Sequence, residues 1–168
     1  MADRHSVWNE GTDVGLIGGV AVAVWFLVLD MLAGRPLRTP SVLGQVVLFG
    51  NARPDVVHVD LGAVLLYTVV HFAAFALFGV LLTKIVHLAT DNPVVRFALL
   101  MVFLVFELFF YGILTMLSTG TLNLFPFWTV IVANTIAAVV MGLYLWRTHP
   151  SFRESMLSTP LGDIREND

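Results

Sequence analysis

Apolar residues are gathered along this chain into four long blocks that are separated by shorter polar stretches. The blocks cover residues 14–34, 61–83, 97–117 and 124–146. Each is near or above the roughly 18 to 20 residues that a helix needs to cross about 30 Å of hydrocarbon. Backbone polar groups in lipid must be bonded within their own segment, so continuous apolar runs of this length are typical of transmembrane helices. The pattern predicts an all-α integral membrane protein whose four-helix transmembrane bundle occupies residues 14–147.

The first loop between these blocks contains a weaker helical signal. Thr39 and Pro40 are typical of a helix N-cap followed by a first-turn proline, and Gly50 offers a stop. The apolar residues between them recur at helical spacing, but the stretch is too short to cross a bilayer. We therefore expect a short interfacial helix over residues 40–49. A hydrophobic flap packed on the mouth of the bundle is favoured over a pore loop.

Composition agrees with a lipid environment and excludes several classes of function. The 168 residues are 58% hydrophobic and only 12% charged, whereas an average soluble domain carries about a quarter charged residues. The chain has no cysteine, which excludes disulfides and thiolate metal sites. A net charge of −3 without any basic run argues against a nucleic-acid partner. The lipid bilayer is the expected surrounding, with other membrane subunits as possible partners.

The distribution of basic residues predicts how the chain is oriented. Lysine and arginine near the ends of spans tend to stay cytoplasmic. Five such residues lie on the side shared by both termini and the second loop: Arg4, Lys84, Arg96, Arg147 and Arg153. Three lie on the opposite side: Arg35, Arg38 and Arg53. We expect a multi-pass protein of the plasma membrane, of the bacterial inner type, with segment 1–13 and the polar tail 148–168 both cytoplasmic. The tail has little apolar material from which to form a core.

Polar residues inside the apolar blocks are the candidate functional residues, because such groups are costly in lipid and usually face the bundle interior. Helical spacing places His71 between Tyr67 and Phe75 on one face. Alternating helix directions bring several of these residues to similar depths. The sequence thus predicts one polar column, formed by Asp30, Tyr67, His71, Glu107, Tyr111 and Asn134.

Two interpretations of the column remain open. As a proton relay or cation site, His71 and Glu107 would exchange protons while the tyrosines extend a hydrogen-bonded chain. As a structural element, a protonated Glu107 would donate a hydrogen bond to His71 or Asn134 and fix helix packing. Either interpretation requires Glu107 and His71 to face one another.

No cofactor is predicted from the sequence. One histidine and one glutamate fall short of the three protein ligands of a catalytic zinc centre, and haem or a metal at His71 is the less favoured alternative because His58 and His87 lie near opposite ends of that helix. Asp55, His58 and Asp60 gather before the second span and are a weak candidate for a surface cation site. Such a group more often caps a helix.

Three functions are compatible with these features. The first is a non-catalytic structural or accessory subunit of a larger membrane complex. The second is a small proton-linked or cation-linked transporter that uses Glu107 and His71. The third is a membrane redox or lipid-modifying protein. The sequence contains no nucleophile elbow, phosphate-binding glycine loop or zinc-protease motif, so no catalytic residues are assigned and a non-enzymatic role is favoured.

Overall fold

The computed structural model describes residues 7–91, 95, 101, 104, 105, 108, 112 and 126–158. The described part is helical and contains no strand, which confirms the all-α prediction for these residues. Its helices are α1 (Val7–Leu32), α2 (Arg38–Val47), α3 (Leu61–Asp91), α4 (Phe127–Thr148) and α5 (Pro150–Ser158). By length and composition, α1, α3 and α4 can each cross a membrane. The predicted span 97–117 lies outside the described residues, apart from isolated positions.

Glycines bring α1 and α3 into very close contact. A Cβ atom on Gly15 would collide with the backbone carbonyl of Phe75, and one on Gly79 would collide with the backbone of Gly11 and Gly15. The spacing of Gly11, Gly15 and Gly19 places them on one face of α1. Small residues at this spacing let helix backbones approach closely in a membrane. Gly15 and Gly19 therefore serve packing within the chain.

The main core lies between α1, α3 and α4. Its buried residues are Val14, Val22, Val86, Ala89, Ala133, Ala137, Met141 and Leu145. A hydrogen bond also joins α1 to α4, because Trp25 Nε1 on α1 donates to the carbonyl oxygen of Thr129 on α4 at 3.0 Å. Ala138 and Gly142, the second small-residue pair, are exposed, and no described atom lies within 4 Å of a Cβ placed on Gly142. On α4 it is Ala133 and Ala137 that enter the core, whereas Ala138 and Gly142 do not.

Helix α2 packs against the beginning of α3. Val42, Leu43 and Val46 form a small buried cluster with Tyr67 beside it, and a Cβ on Gly44 would collide with the carbonyl oxygen of Ala63. Six consecutive residues, Ser41 to Val46, are buried. The helix is thus covered on several sides, as a flap packed on the bundle would be.

The prediction that Thr39 caps α2 is wrong. The helix begins at Arg38, its N-cap is Leu37 with a left-handed φ of 65°, and Leu37 makes no side-chain cap hydrogen bond. Thr39 lies inside the first turn, where its backbone amide donates to the carboxylate of Asp30 on α1. The cap comes from a different helix, which local sequence cannot reveal.

Three helical segments extend beyond the predicted blocks, one of them being the end of α3, which continues to Asp91. Helix α1 begins at Val7 rather than at residue 14, because polar residues such as Thr12 continue the helix past its apolar part. Within the predicted polar tail, Pro150–Ser158 is helical. His149 separates α4 from α5, since the residue before a proline avoids helical geometry and proline itself fits a first turn.

Candidate functional site

A cavity of about 140 Å³ lies beneath α2, between α1 and α3. Most of its lining is apolar, with Phe26, Leu27 and Phe72 among the contributing side chains. The polar part of the lining comes from Asp30, Thr39, Tyr67, Thr68 and His71. Three residues of the predicted polar column, Asp30, Tyr67 and His71, therefore share one cavity.

Asp30 forms the outer polar end of this cavity. The residue is 5% exposed. Its Oδ2 accepts a hydrogen bond from the backbone amide of Thr39 at 2.7 Å, and its Oδ1 accepts one from Thr39 Oγ1 at 2.8 Å. The carboxylate also lies at the N-terminus of α2, where the helix dipole favours negative charge. Both carboxylate oxygens are used to hold α2 in place.

His71 forms the inner polar end. Its Nε2 lies 3.1 Å from the carbonyl oxygen of Gly19 on α1, and because a carbonyl can only accept, Nε2 carries the proton. The ring packs against Tyr67 and Phe75, with centroid separations of 5.8 and 4.8 Å. These three side chains lie on one face of α3. The imidazole links α3 to the backbone of α1.

Of the other three predicted members of the column, only Asn134 belongs to the described residues. Asn134 is buried on α4, and its Nδ2 has no hydrogen-bond partner among the described residues. It does not line the cavity. Glu107 and Tyr111 lie outside the described residues. The pairing of His71 with Glu107 therefore stays a prediction.

The surface group before α3 divides into two local motifs. Asp60 Oδ1 accepts from the backbone amide of Ala63 at 3.0 Å and so caps α3. Asp55 pairs with His58, whose Nδ1 lies 3.0 Å from Asp55 Oδ2. Backbone N–H donation from His58 and Val57, together with the His58 side chain, lowers the pKa of Asp55 from 3.8 to about 2. Asp60 therefore caps α3, and Asp55 stabilises the turn in which it lies.

A second cluster of ionisable side chains lies at the opposite end of the bundle. Glu10 on α1, His87 on α3 and His149 after α4 bring their ligand atoms within 4.8 Å of one another. The sequence pattern does not group these three residues, because they come from three separate parts of the chain. The available signal was topological: with alternating spans, all three positions fall at the end that holds both termini.

Comparison of the chain with protein-family models, with curated proteins and with solved structures found no match. The cavity beneath α2 contains a carboxylate and an imidazole that are both bonded to a neighbouring helix. The cluster at the other end contains two imidazoles and a carboxylate directed at one another, which is a set of groups able to bind a cation.

Proposed function

We propose that this chain is a multi-pass protein of the plasma membrane, of the bacterial inner type, and that it is a non-catalytic accessory subunit of a larger membrane complex. The observation that supports a structural role for its polar residues is the bonding of Asp30 and His71. Asp30 accepts hydrogen bonds from the backbone amide and the hydroxyl of Thr39 on α2, and His71 donates one to the backbone carbonyl of Gly19 on α1. Residues that carry protons or ions must exchange partners during a cycle, whereas these hold helices together.

The outer surface of the described helices supports the accessory role. Large apolar side chains cover the faces of α1, α3 and α4 that point away from the core, among them Leu16, Val20, Val24, Leu65, Val69, Leu77 and Leu143. Such faces can contact lipid or the helices of other subunits. Among the described residues, the connections at 33–37 and 48–60 are short, so this part of the chain has little material outside its long helices to form an independent catalytic domain.

Photo-crosslinking in native membranes tests the accessory role. A photoreactive amino acid at the exposed position Val69 is expected to give a discrete protein adduct of one size, whereas the same residue at the buried position Val64 is expected to give none. Repeating the reaction at Val20 and Leu143 would map the face that the partner covers. Adducts with lipid alone at every exposed position would contradict the proposal.

A small proton-linked or cation-linked transporter is the second candidate, and the cavity beneath α2 is the observation that favours it. Its lining holds Asp30, Tyr67 and His71 in a volume of about 140 Å³, which is large enough for several water molecules. Transport would require these groups to change protonation or ligands during a cycle.

Variants of His71 separate the two candidates. His71→Gln keeps an N–H donor for the carbonyl of Gly19 but removes a titrating group. The structural role predicts that this variant folds and assembles as the unmodified chain does. The transport role predicts that purified chain in liposomes moves protons or cations and that His71→Gln abolishes this flux. His58→Gln, at an exposed histidine outside the cavity, is the matched control.

A further inference from the structure

We propose that Glu10, His87 and His149 form a binding site for one divalent transition-metal ion of the zinc class. The site goes beyond the accessory role, because it lies at the other end of the bundle from the cavity and would be present in the isolated chain. Two imidazole nitrogens and one carboxylate make up its protein ligands. This ligand set suits zinc and leaves room for water in a fourth position.

The distances within the cluster are close to those of a metal site. His87 Nε2 and His149 Nε2 lie 2.8 Å apart, and Glu10 Oε2 lies 3.8 Å from His87 Nε2. Two nitrogen ligands at roughly 2.0 to 2.1 Å from a tetrahedral zinc ion are themselves roughly 3.3 Å apart. The rings would therefore need to separate by only about half an ångström to admit the ion, which is within the reach of side-chain rotation.

Hydrogen bonding orients His149 with Nε2 as its lone-pair atom. Its Nδ1 lies 3.1 Å from Thr148 Oγ1 and 3.4 Å from Glu10 Oε1. Thr148 Oγ1 donates its own proton to the carbonyl of Tyr144, so it can accept the proton of Nδ1. A metal-binding histidine usually donates its second N–H to such an oxygen partner, which fixes its tautomer and orientation.

Local chain geometry places each ligand. Glu10 lies in the first turn of α1, where a carboxylate is favoured by the helix dipole. His87 lies near the carboxyl end of α3, and His149 is the C-cap of α4. The negative dipole ends of α3 and α4 and the positive dipole ends of α1 and α5 all lie at the cluster, so the ligand side chains and not the helix dipoles provide its preference for a cation. The turn imposed by Pro150 removes His149 from the helix and directs its ring at His87.

Exposure of the cluster matches an accessible ion site. The side chains of Glu10 and His149 are 11% and 17% exposed, whereas that of His87 is 42% exposed. Two ligands are therefore held by packing, and the third faces the surface from which an ion would enter. Bound metal would join the beginning of α1 to the ends of α3 and α4.

Metal titration of the full chain tests the proposal. The protein is purified in detergent without a histidine tag, stripped with a chelator, and titrated with Zn²⁺ against a chromophoric competitor. We expect one Zn²⁺ per chain, a higher melting temperature with zinc than without it, and visible d–d absorption when Co²⁺ replaces zinc. Removal of one ligand by Glu10→Gln, His87→Gln or His149→Gln is expected to weaken zinc binding at least about 100-fold, beyond the 10–100-fold typical of outer-shell partners.

The matched control is His58→Gln, which makes the same change at the other end of the molecule beside Asp55 and should leave zinc affinity unchanged. His87→Gln is the most informative variant, because its side chain is the most exposed of the three and its loss should not prevent folding. A chain that binds no zinc would overturn the proposal. So would zinc binding that survives all three ligand substitutions, or that disappears in His58→Gln.

Discussion

A single buried carboxylate, Asp30, determines how the first loop is attached to the bundle. Taking an ionised carboxylate out of water costs several kcal/mol unless it is compensated. Here the compensation comes from the amide and hydroxyl of Thr39 and from the N-terminal end of α2. The α1 helix thus supplies the cap that α2 lacks at Leu37.

Replacing Asp30 by alanine should therefore destabilise the loop and the cavity together. We expect Asp30→Ala to lower the free energy of unfolding by about 2 to 3 kcal/mol, because two hydrogen bonds to a charged group are lost. Asp13→Ala, at an exposed acid of the same helix, should change it by less than about 0.5 kcal/mol. Unfolding in mixed micelles measures both values. Equal effects for the two variants would contradict this account of Asp30.

Sequence periodicity predicted one shared helix face for three side chains at the cavity, but not what the polar residues there bind. The spacing of Tyr67, His71 and Phe75 on one helix face follows from the helical repeat alone. The partners of Asp30 and His71 are Thr39 and the carbonyl of Gly19, one of them a backbone group. A carbonyl leaves no signature in sequence, so the prediction favoured side-chain partners such as Glu107.

At the scale of elements, the contact between α1 and α3 depends on the absence of side chains. Gly15 faces the carbonyl of Phe75 so closely that a methyl group would not fit. Gly142 on α4 is also helical, but no described atom lies within 4 Å of a Cβ placed there. A glycine-to-alanine substitution can therefore be compared at a tightly packed position, Gly15, and at an open one, Gly142.

Gly15→Ala should destabilise the protein, whereas Gly142→Ala should not. At Gly15 the added methyl forces the helices apart, at a cost of about 1 to 3 kcal/mol. At Gly142 alanine is neutral, or it stabilises the helix by up to about 1 kcal/mol because of its higher helix propensity. Thermal melting of both variants in one detergent gives the comparison. A larger loss for Gly142→Ala would show that α4, not α1, provides the tight helix contact.

Hydropathy located the long helices better than it located their ends. The blocks at 14–34, 61–83 and 124–146 correspond to α1, α3 and α4. Hydropathy, however, identifies only the apolar part of a helix, which can lie in the hydrocarbon of a bilayer. The helical hydrogen bonds continue into the polar residues on either side. Seven more residues precede the first block in α1, and α3 continues to Asp91. The helix after Pro150 was missed for the same reason, since its residues are mostly polar.

At the scale of the whole molecule, alternating helix directions bring distant residues together. His87 and His149 are 62 positions apart and yet their Nε2 atoms are in contact. The predicted topology places both at one end of the bundle, but it does not say which helix ends are neighbours. The packing of α3 and α4 around α1 determines which helix ends are neighbours. This packing depends on the shapes of the side chains and not on the order of the spans.

The same topology predicts the accessibility of the two ends of the molecule. Glu10, His87 and His149 show that the beginning of α1 and the ends of α3 and α4 share one end of the bundle, and Lys84 and Arg153 belong to that end. The positive-inside rule predicts that this end is cytoplasmic. Since the chain has no cysteine, single cysteines can be introduced without background labelling. We expect Asn51→Cys, in the exposed first loop, to react with a membrane-impermeant maleimide in intact cells.

Glu154→Cys, on the exposed surface of α5, should react with the same reagent only after the membrane is permeabilised. The two positions are matched in exposure and lie at opposite ends of α1, so a difference in labelling reports sidedness rather than burial. Permeabilised cells supply the control, because both cysteines should then be labelled. Labelling of Glu154→Cys but not of Asn51→Cys in intact cells would reverse the orientation and would place the proposed metal site outside the cytoplasm. Labelling of both in intact cells would mean that the two ends are not separated by a membrane, which would contradict the crossing of the bilayer by α1.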